Sequence, residues 1–504
     1  MGILSGLEPF SVFQYFEEIC GIPHGSGDTK RISDYCVEFA KEHGLRYLQD
    51  DWNNVIIWKD GTAGYEQSAP VMLQGHLDMV CEKEADCEID FSRDGLELQL
   101  VDGSITAKGT TLGGDDGIAV AYALAILASE DIPHPPLEVV LTVDEEIGML
   151  GAAALDATPL QAQTMLNLDS EEEGYLLVSC AGGITVTTHL PIVWENISQT
   201  ACDQDCANGI GLTLTVTGLQ GGHSGVEIDK GRGNACQILG RILCRMKEQF
   251  DFRLCSVQGG LKDNAIPREA VADFVLIAAN ADKESVALEA LLQEFQEKVE
   301  ELQQICANEY ALTDPDIKIV CQCTENWTDN TVMNADSTMR TIAMLIGMPG
   351  GIQKMSFAVD GLVQTSLNLG ILKTTQMEVT ASFSLRSSVE SEKLELVDRM
   401  RFLMQVLQGS ISRAGEYPAW EYRQESPLRD LMIEIFREQY GYEPVIQALH
   451  AGVECGLFAG KIADLDCVSF GPDMKDIHTP KESMNVESVK RCWEYLLEIL
   501  KRLQ

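Results

Sequence analysis

EVVLTVDEEIGMLGA, residues 138–152, places four apolar residues among the five positions from Val139 to Val143. Three consecutive carboxylates follow, Asp144, Glu145 and Glu146, and then Ile147-Gly148. A short β-branched apolar run bounded by turn formers reads as a buried strand. Like charges this close repel one another, so their crowding at a strand exit calls for a counter-charge.

Working outward, the same grammar repeats. VMLQGHLDM (71–79) reads as a short buried strand and its exit, and TMLNLD (164–169) as another. GIAVAYALAILASE (117–130) between them is a compact apolar helix. Strands alternating with helices predict an α/β fold with a mainly parallel sheet covered on both faces. Near Ala181-Gly182-Gly183 the pattern changes. GLTLTVTGL (211–219) and QMEVTASFSLR (376–386) alternate as half-exposed strands, and a long polar helix spans ESVALEALLQEFQEKVEELQQ (284–304). That is α+β character with antiparallel strands. After about Ser391 the α/β pattern returns through YEPVIQALHAG, LDCVSFGP and a terminal helix up to Leu503. The expected organisation is one α/β domain in two pieces, 1–183 and 390–504, interrupted by an inserted α+β domain at 184–389.

Composition narrows the function. Lys and Arg total 37 against 78 Asp and Glu, a formal charge of −41. Such a field disfavours nucleic acid and anionic membranes and attracts cations. The apolar run from Ile118 to Ala128 is too short to span a bilayer. MGILSGLEPF lacks a basic, apolar leader and carries Gly6 where a myristoylation start wants Ser or Thr. The 16 cysteines form no framework; neither Cys321-Gln-Cys323 nor the Cys202/Cys206 pair has the spacing of a structural zinc site. Reduced thiols in a cytoplasmic protein are the expectation.

Five separate elements place polar, metal-competent residues at a strand exit or a helix entry. These are His76 and Asp78, Asp115-Asp116, Asp144 to Glu146, Asp169, and His478 in FGPDMKDIHTP. Singly, each has an ordinary reading. Asp115 or Asp116 serves as a helix cap, Glu145-Glu146 as a solvated loop, and His76 as a hydrogen-bonded core histidine. Jointly, at the carboxyl ends of strands in an open α/β sheet, they point to a metal site.

The stretches QGHLDMV, KGTTLGGDDGIAVAYALAIL, LTVDEEIGMLGA, NLDSEEEG, CAGGI, GLQGGHSGVEI, LKDNAIPREA, SLRSS and HAGVECGLF, with the late His478, run in order over nearly the whole chain. In this the chain resembles the M20 metallopeptidases, within them the PepD-type aminoacyl-histidine dipeptidases. The resemblance implies a zinc-peptidase catalytic domain with an inserted lid and two Zn²⁺, Mn²⁺ or Co²⁺ suiting the same donors. It implies His76 and Asp169 as ligands of one metal, Glu146 and His478 of the other, and Asp115 as the bridge. Asp78 would fix the His76 tautomer. Glu145 would be the general base that takes a proton from a metal-activated water. Asp144 is left as merely solvated.

In the lid, His223 of GGHSG would reach the oxyanion, and Asn264 and Arg386 would bind substrate, Arg386 by its C-terminal carboxylate. On sequence alone His223 reads equally as a turn histidine. His450 and Glu454 of HAGVECG are expected to shape the pocket without ligating metal. Gly182-Gly183 and Ser387-Ser388 are the candidate hinges for lid closure. Whether His223 serves its own chain or a neighbouring subunit of a homodimer stays open. The expected substrate is a dipeptide, Xaa-His among them. N-acyl amino acids are the alternative amides, and a non-catalytic binding protein is the alternative class. The intact Glu145 and full ligand set argue against the last.

Overall fold

The structure is a computed structural model that describes residues 2–197, 209–277, 285–324 and 331–504; Cys202, Cys206 and Glu284 lie outside them. The chain divides into two compact units. One is the chain up to Cys180 together with Pro418–Gln504, the other Ala181–Tyr417.

The first unit is built on an eight-stranded sheet. Its order in space is Arg46–Gln49, Val55–Lys59, Leu137–Thr142, Val71–His76, Thr164–Asn167, Asp466–Ser469, Tyr175–Cys180 and Val445–Leu449. The central strands are parallel, and 55–59 closes one side antiparallel. Strands 71–76 and 137–142 are buried at every position, as strands covered on both faces must be. Register decides what leaves the sheet together. His76 lies opposite Thr142, Gln74 opposite Asn167, and Asn167 opposite Ser469. The segments 77–78, 143–146 and 168–169 therefore emerge at one edge. The helix Gly114–Ala128 packs beneath, buried from Gly114 to Leu127, and after Asp115-Asp116 in its first turn it is apolar on nearly every side. Among the described residues no helix is long and apolar enough to cross a membrane.

The second unit is antiparallel. Its main sheet runs Lys318–Cys323, Gly209–Thr217, Ala270–Ile277, Phe252–Gly259, Val363–Thr374, Glu378–Ser387, Gly182–Pro191 and Ser410–Tyr417. Strand 378–387 alternates buried and half-buried positions over most of its length, because one face meets a core and the other does not. Residues of the helices Ala235–Lys247, Ala335–Gly347 and Glu390–Val406 join that core, among them Ile242, Leu345 and Met400.

The α/β patterning returns later than the expected 390. Helix 390–406 buries Leu396, Val397, Met400 and Met404 in the second unit's core. Strand 410–417 then pairs with 182–191. The first unit resumes only at Pro418. Amphipathic periodicity does not record which sheet a helix covers, so the boundary at 390 could not be read from it. Both hinge candidates also sit within a ladder, Gly182 opposite Ser387 and Gly183 opposite Arg386. They are built into the second unit's sheet and are not free joints.

Candidate metal centre

At the sheet edge of the first unit, His76 is buried at the end of its strand. Its Nε2 lies 3.1 Å from Asp115 Oδ1 and 3.5 Å from Asp169 Oδ1. His478 enters from a turn in which it adopts φ 59°. Its Nε2 lies 3.2 Å from Asp115 Oδ2 and 2.8 Å from Glu146 Oε1. One carboxylate thus presents an oxygen to each of two imidazoles. Candidate donor atoms of His76, Asp116 and Asp169 lie within 4.8 Å of one another, as do those of His76, Glu145 and Glu146, and those of Asp115, Glu146 and His478. All seven sequence-predicted residues of this unit, Asp78 and Glu145 included, are brought together around these groups.

Asp78 does more than the expected job. His76 Nδ1 meets the backbone carbonyl of Asp78 at 2.9 Å, and the carboxylate Oδ1 is 3.6 Å away. The carbonyl, an obligate acceptor, is what directs Nε2 toward the acids. The Asp78 carboxylate, beside His76, also accepts the backbone N–H of Glu145 (3.0 Å) and of Glu146 (3.3 Å), and the Ser26 hydroxyl (2.8 Å). It pins the turn that carries both glutamates. Asp144 is likewise not merely solvated, since it accepts the Gly27 N–H at 2.7 Å.

The electrostatics are those of a cation site. Among the described residues, the ion-pair partners of Asp78, Asp115, Glu146 and Asp169 are His76 and His478. Burial, with His76 opposing and Asp169, Glu454 and Glu146 adding, pushes Glu145 up to about 9. Burial likewise pushes Asp169 up to about 8. Burial also opposes ionisation of Asp115, yet hydrogen bonds from His478 and His76 hold it below the usual carboxylate range. Hydrogen bonds to Asp115 and Glu146 push His478 up to about 10. Acids and imidazoles clustered this closely need protons or cations among them. The donor set, two imidazoles and several carboxylates, fits divalent zinc-type cations.

Three further carboxylates belong to the site, none of them expected as a ligand. Asp116 is fully buried; Oδ2 accepts the His76 N–H at 3.1 Å and Oδ1 has no hydrogen-bond partner. Gly75 makes room for it, since a Cβ there would come within 2.4 Å of Asp116 Oδ2. Glu454, fully buried, accepts from Gln74 Nε2 (2.5 Å) and Thr142 Oγ1 (2.6 Å), and burial pushes it up to about 7. Glu482 accepts three consecutive backbone N–H groups in the loop before Asp115. Asp116, at the entry of an apolar helix, and Glu454, at a strand-to-helix turn, carried a sequence signal; Glu482 carried none.

The second unit holds the remaining predicted residues. Gly222–His223 pairs with Ala265–Ile266, and the Asn264 carbonyl accepts the Ser224 N–H at 2.9 Å, so His223 and Asn264 are neighbours. His223 Nδ1 accepts the backbone N–H of Gly225 (3.1 Å) and of Val226 (3.2 Å). With that lone pair engaged, the ring proton sits on Nε2. Burial, then the charge of Arg386, holds His223 below the ordinary histidine range. Arg386 is 9% exposed, donates from Nη1 to the Tyr417 hydroxyl at 2.9 Å, and has a buried Nε without a partner.

Residues 72–502 match the model of peptidase family M20/M25/M40. The chain is 39% identical over 503 residues to the cytosol non-specific dipeptidase of Escherichia coli (strain K12), covering 100% of this chain and 99% of the relative. Its structure superposes with a TM-score of 0.88 on the crystal structure of aminoacylhistidine dipeptidase from Vibrio alginolyticus, 36% identical, covering 99% and 98% of the two chains. Aminopeptidase PepT from Bacillus cereus ATCC 10987 shares the fold at a TM-score of 0.54 and 14% identity, over 99% of each chain. The chain belongs to peptidase family M20/M25/M40.

Proposed function

We propose that this M20 family member is a cytoplasmic, metal-dependent dipeptidase that hydrolyses the amide bond of dipeptides bearing a free C-terminal carboxylate, Xaa-His dipeptides among them. The observation that carries the reading is Asp115, whose two oxygens meet the Nε2 atoms of His76 and His478 at 3.1 and 3.2 Å. Full-length similarity to dipeptidases, one of them named for the cytosol, supports the substrate class and the compartment.

His76 and Asp169 would hold one divalent cation and Glu146 and His478 the other, with Asp115 available to both. Three anionic ligands suit two dications. When bound, the cations polarise the scissile carbonyl and make a water molecule easier to deprotonate at neutral pH. Asp78 holds Glu145 in place through its backbone N–H. Glu145 takes the proton of the attacking water and delivers it to the leaving amine. Its high proton affinity without metal comes first from burial, and cations beside it would return it to a base.

His223, kept neutral with its proton on Nε2, donates to the carbonyl oxygen as that atom gains charge. Arg386 supplies the guanidinium fork for the substrate carboxylate, with its unpartnered Nε as one prong. Asn264, beside His223, supplies a further polar contact.

The test is metal removal and return. Chelated protein should lose hydrolysis of Ala-His and β-Ala-His and regain it with Zn²⁺, Mn²⁺ or Co²⁺, two ions per chain. Restored activity on N-acetyl amino acids but not on dipeptides would reassign the substrate. No metal-restored hydrolysis at all would overturn the reading.

A further inference from the structure

Glu482 sits four residues after His478 and is 3% exposed. Its Oε2 accepts the N–H groups of Leu112 (2.8 Å) and Gly113 (3.3 Å), and its Oε1 accepts that of Gly114 (2.8 Å). Three successive amides converging on one carboxylate form an anion nest. The glycines make it: Gly113 takes φ 66°, and a Cβ on Gly114 would stand 3.3 Å from Glu482 Oε1 and 3.0 Å from Met474 Sδ. The next residue is Asp115. On its own side, the Glu482 N–H bonds the Thr479 carbonyl at 3.0 Å, and Thr479 bonds back to Asp476, closing the turn that contains His478. Strand Ser483–Asn485 then anchors the segment against Ser104–Ala107.

We propose that Glu482 is a positioning residue for the dinuclear centre. It ties the loop bearing Asp115 to the turn bearing His478, two segments more than 360 residues apart, and so sets the spacing between the bridging carboxylate and the second imidazole. The inference rests on the metal reading above. Glu138 supplies the contrast. It too is buried, and it accepts the backbone N–H groups of Gln161 (2.9 Å) and Ala162 (3.0 Å). It stands near the start of its strand, away from the ligands. Both carboxylates stabilise backbone; only Glu482 joins two ligand-bearing segments.

The experiment is calorimetric titration of Zn²⁺ into metal-free wild type, Glu482→Gln and Glu138→Gln, with thermal unfolding of each in both forms. Glu482→Gln should weaken one of the two binding steps by roughly 10–100-fold, with activity recovered by excess metal and KM unchanged. Glu138→Gln should unfold at lower temperature yet bind both ions as wild type does. Equal metal affinity in Glu482→Gln and wild type overturns the clamp alone, as does an equal loss in Glu138→Gln. Wild type that takes up no pair of ions overturns the site reading and the clamp with it. Should Glu482→Gln not fold, hydrogen exchange of wild type decides. Zn²⁺ should slow the amides of Leu112 and Gly114 about tenfold or more, in step with 478–482; unchanged exchange there overturns the proposal.

Discussion

His76 and His478 in the first unit and His223 in the second are the same side chain in opposite surroundings. The first two face carboxylates, and both are held above the ordinary histidine range. In His478 the hydrogen bonds to Asp115 and Glu146 lead; in His76 the acids override burial. His223 faces two backbone N–H donors and a guanidinium, and burial followed by Arg386 pushes it down. An imidazole turned toward acids keeps a nitrogen for a cation. One turned toward donors keeps an N–H for an anion. The neighbours, more than the residue type, assign the chemistry.

That contrast is open to direct attack. The largest effect should come from Asp115→Ala, which removes the oxygens shared by both imidazoles. We expect more than about 10⁴-fold loss of kcat and fewer than two metal ions per chain by elemental analysis. A variant that keeps both ions would break the bridging assignment.

Glu145→Gln should cost roughly 10³–10⁴-fold in kcat while metal content and KM stay near wild type. That result would separate the two adjacent glutamates, since Glu146→Gln should lose metal as well. His223→Ala should cost about 10²–10³-fold in kcat with metal content untouched. Because His223 is held below 6.5, the wild-type acid limb assigned to it should also lie below that value. An acid limb above it would break the donor-facing half of the comparison.

The smallest effect is on stability and pH, and it concerns metal-free protein. Asp169 rises from 3.8 to about 8, Glu145 from 4.5 to about 9 and His478 from 6.5 to about 10 on folding. Each folded-state value is raised, so each contribution is complete below the unfolded value and lost as pH climbs through the folded one. Metal-free Tm should therefore fall between about pH 5 and pH 9. Saturating Zn²⁺ should flatten that fall, because the ion replaces the protons. A parallel decline in both forms would show that Asp169 and His478 are not the metal's ligands.

Much of the centre is legible in the chain because its ligands follow buried strands or open an apolar helix. LEVVLTV ahead of Asp144-Glu145-Glu146 and VMLQG ahead of His76 are local patterns, and local patterns survive in one dimension. Glu482, Ser26 and the carbonyl role at Asp78 left no such trace. A carboxylate that accepts backbone N–H groups needs no periodicity and names no partner residue type. The expected boundary at 390 fell ahead of helix 390–406 for a related reason, since Leu396, Val397 and Met400 would satisfy either core.

By itself, then, the sequence settled where strands end, which acids and imidazoles wait there, and that a different, alternating unit interrupts them. Periodicity and turn chemistry act over a few residues, so those features are written locally. Folding alone decided that Asp115 meets His478 from 363 positions away, that the Asp78 carboxylate grips the glutamate turn, and which nitrogen of His223 keeps its proton. Those are long-range hydrogen bonds whose partners are chosen by sheet register and packing, and neither is spelled out by neighbours along the chain.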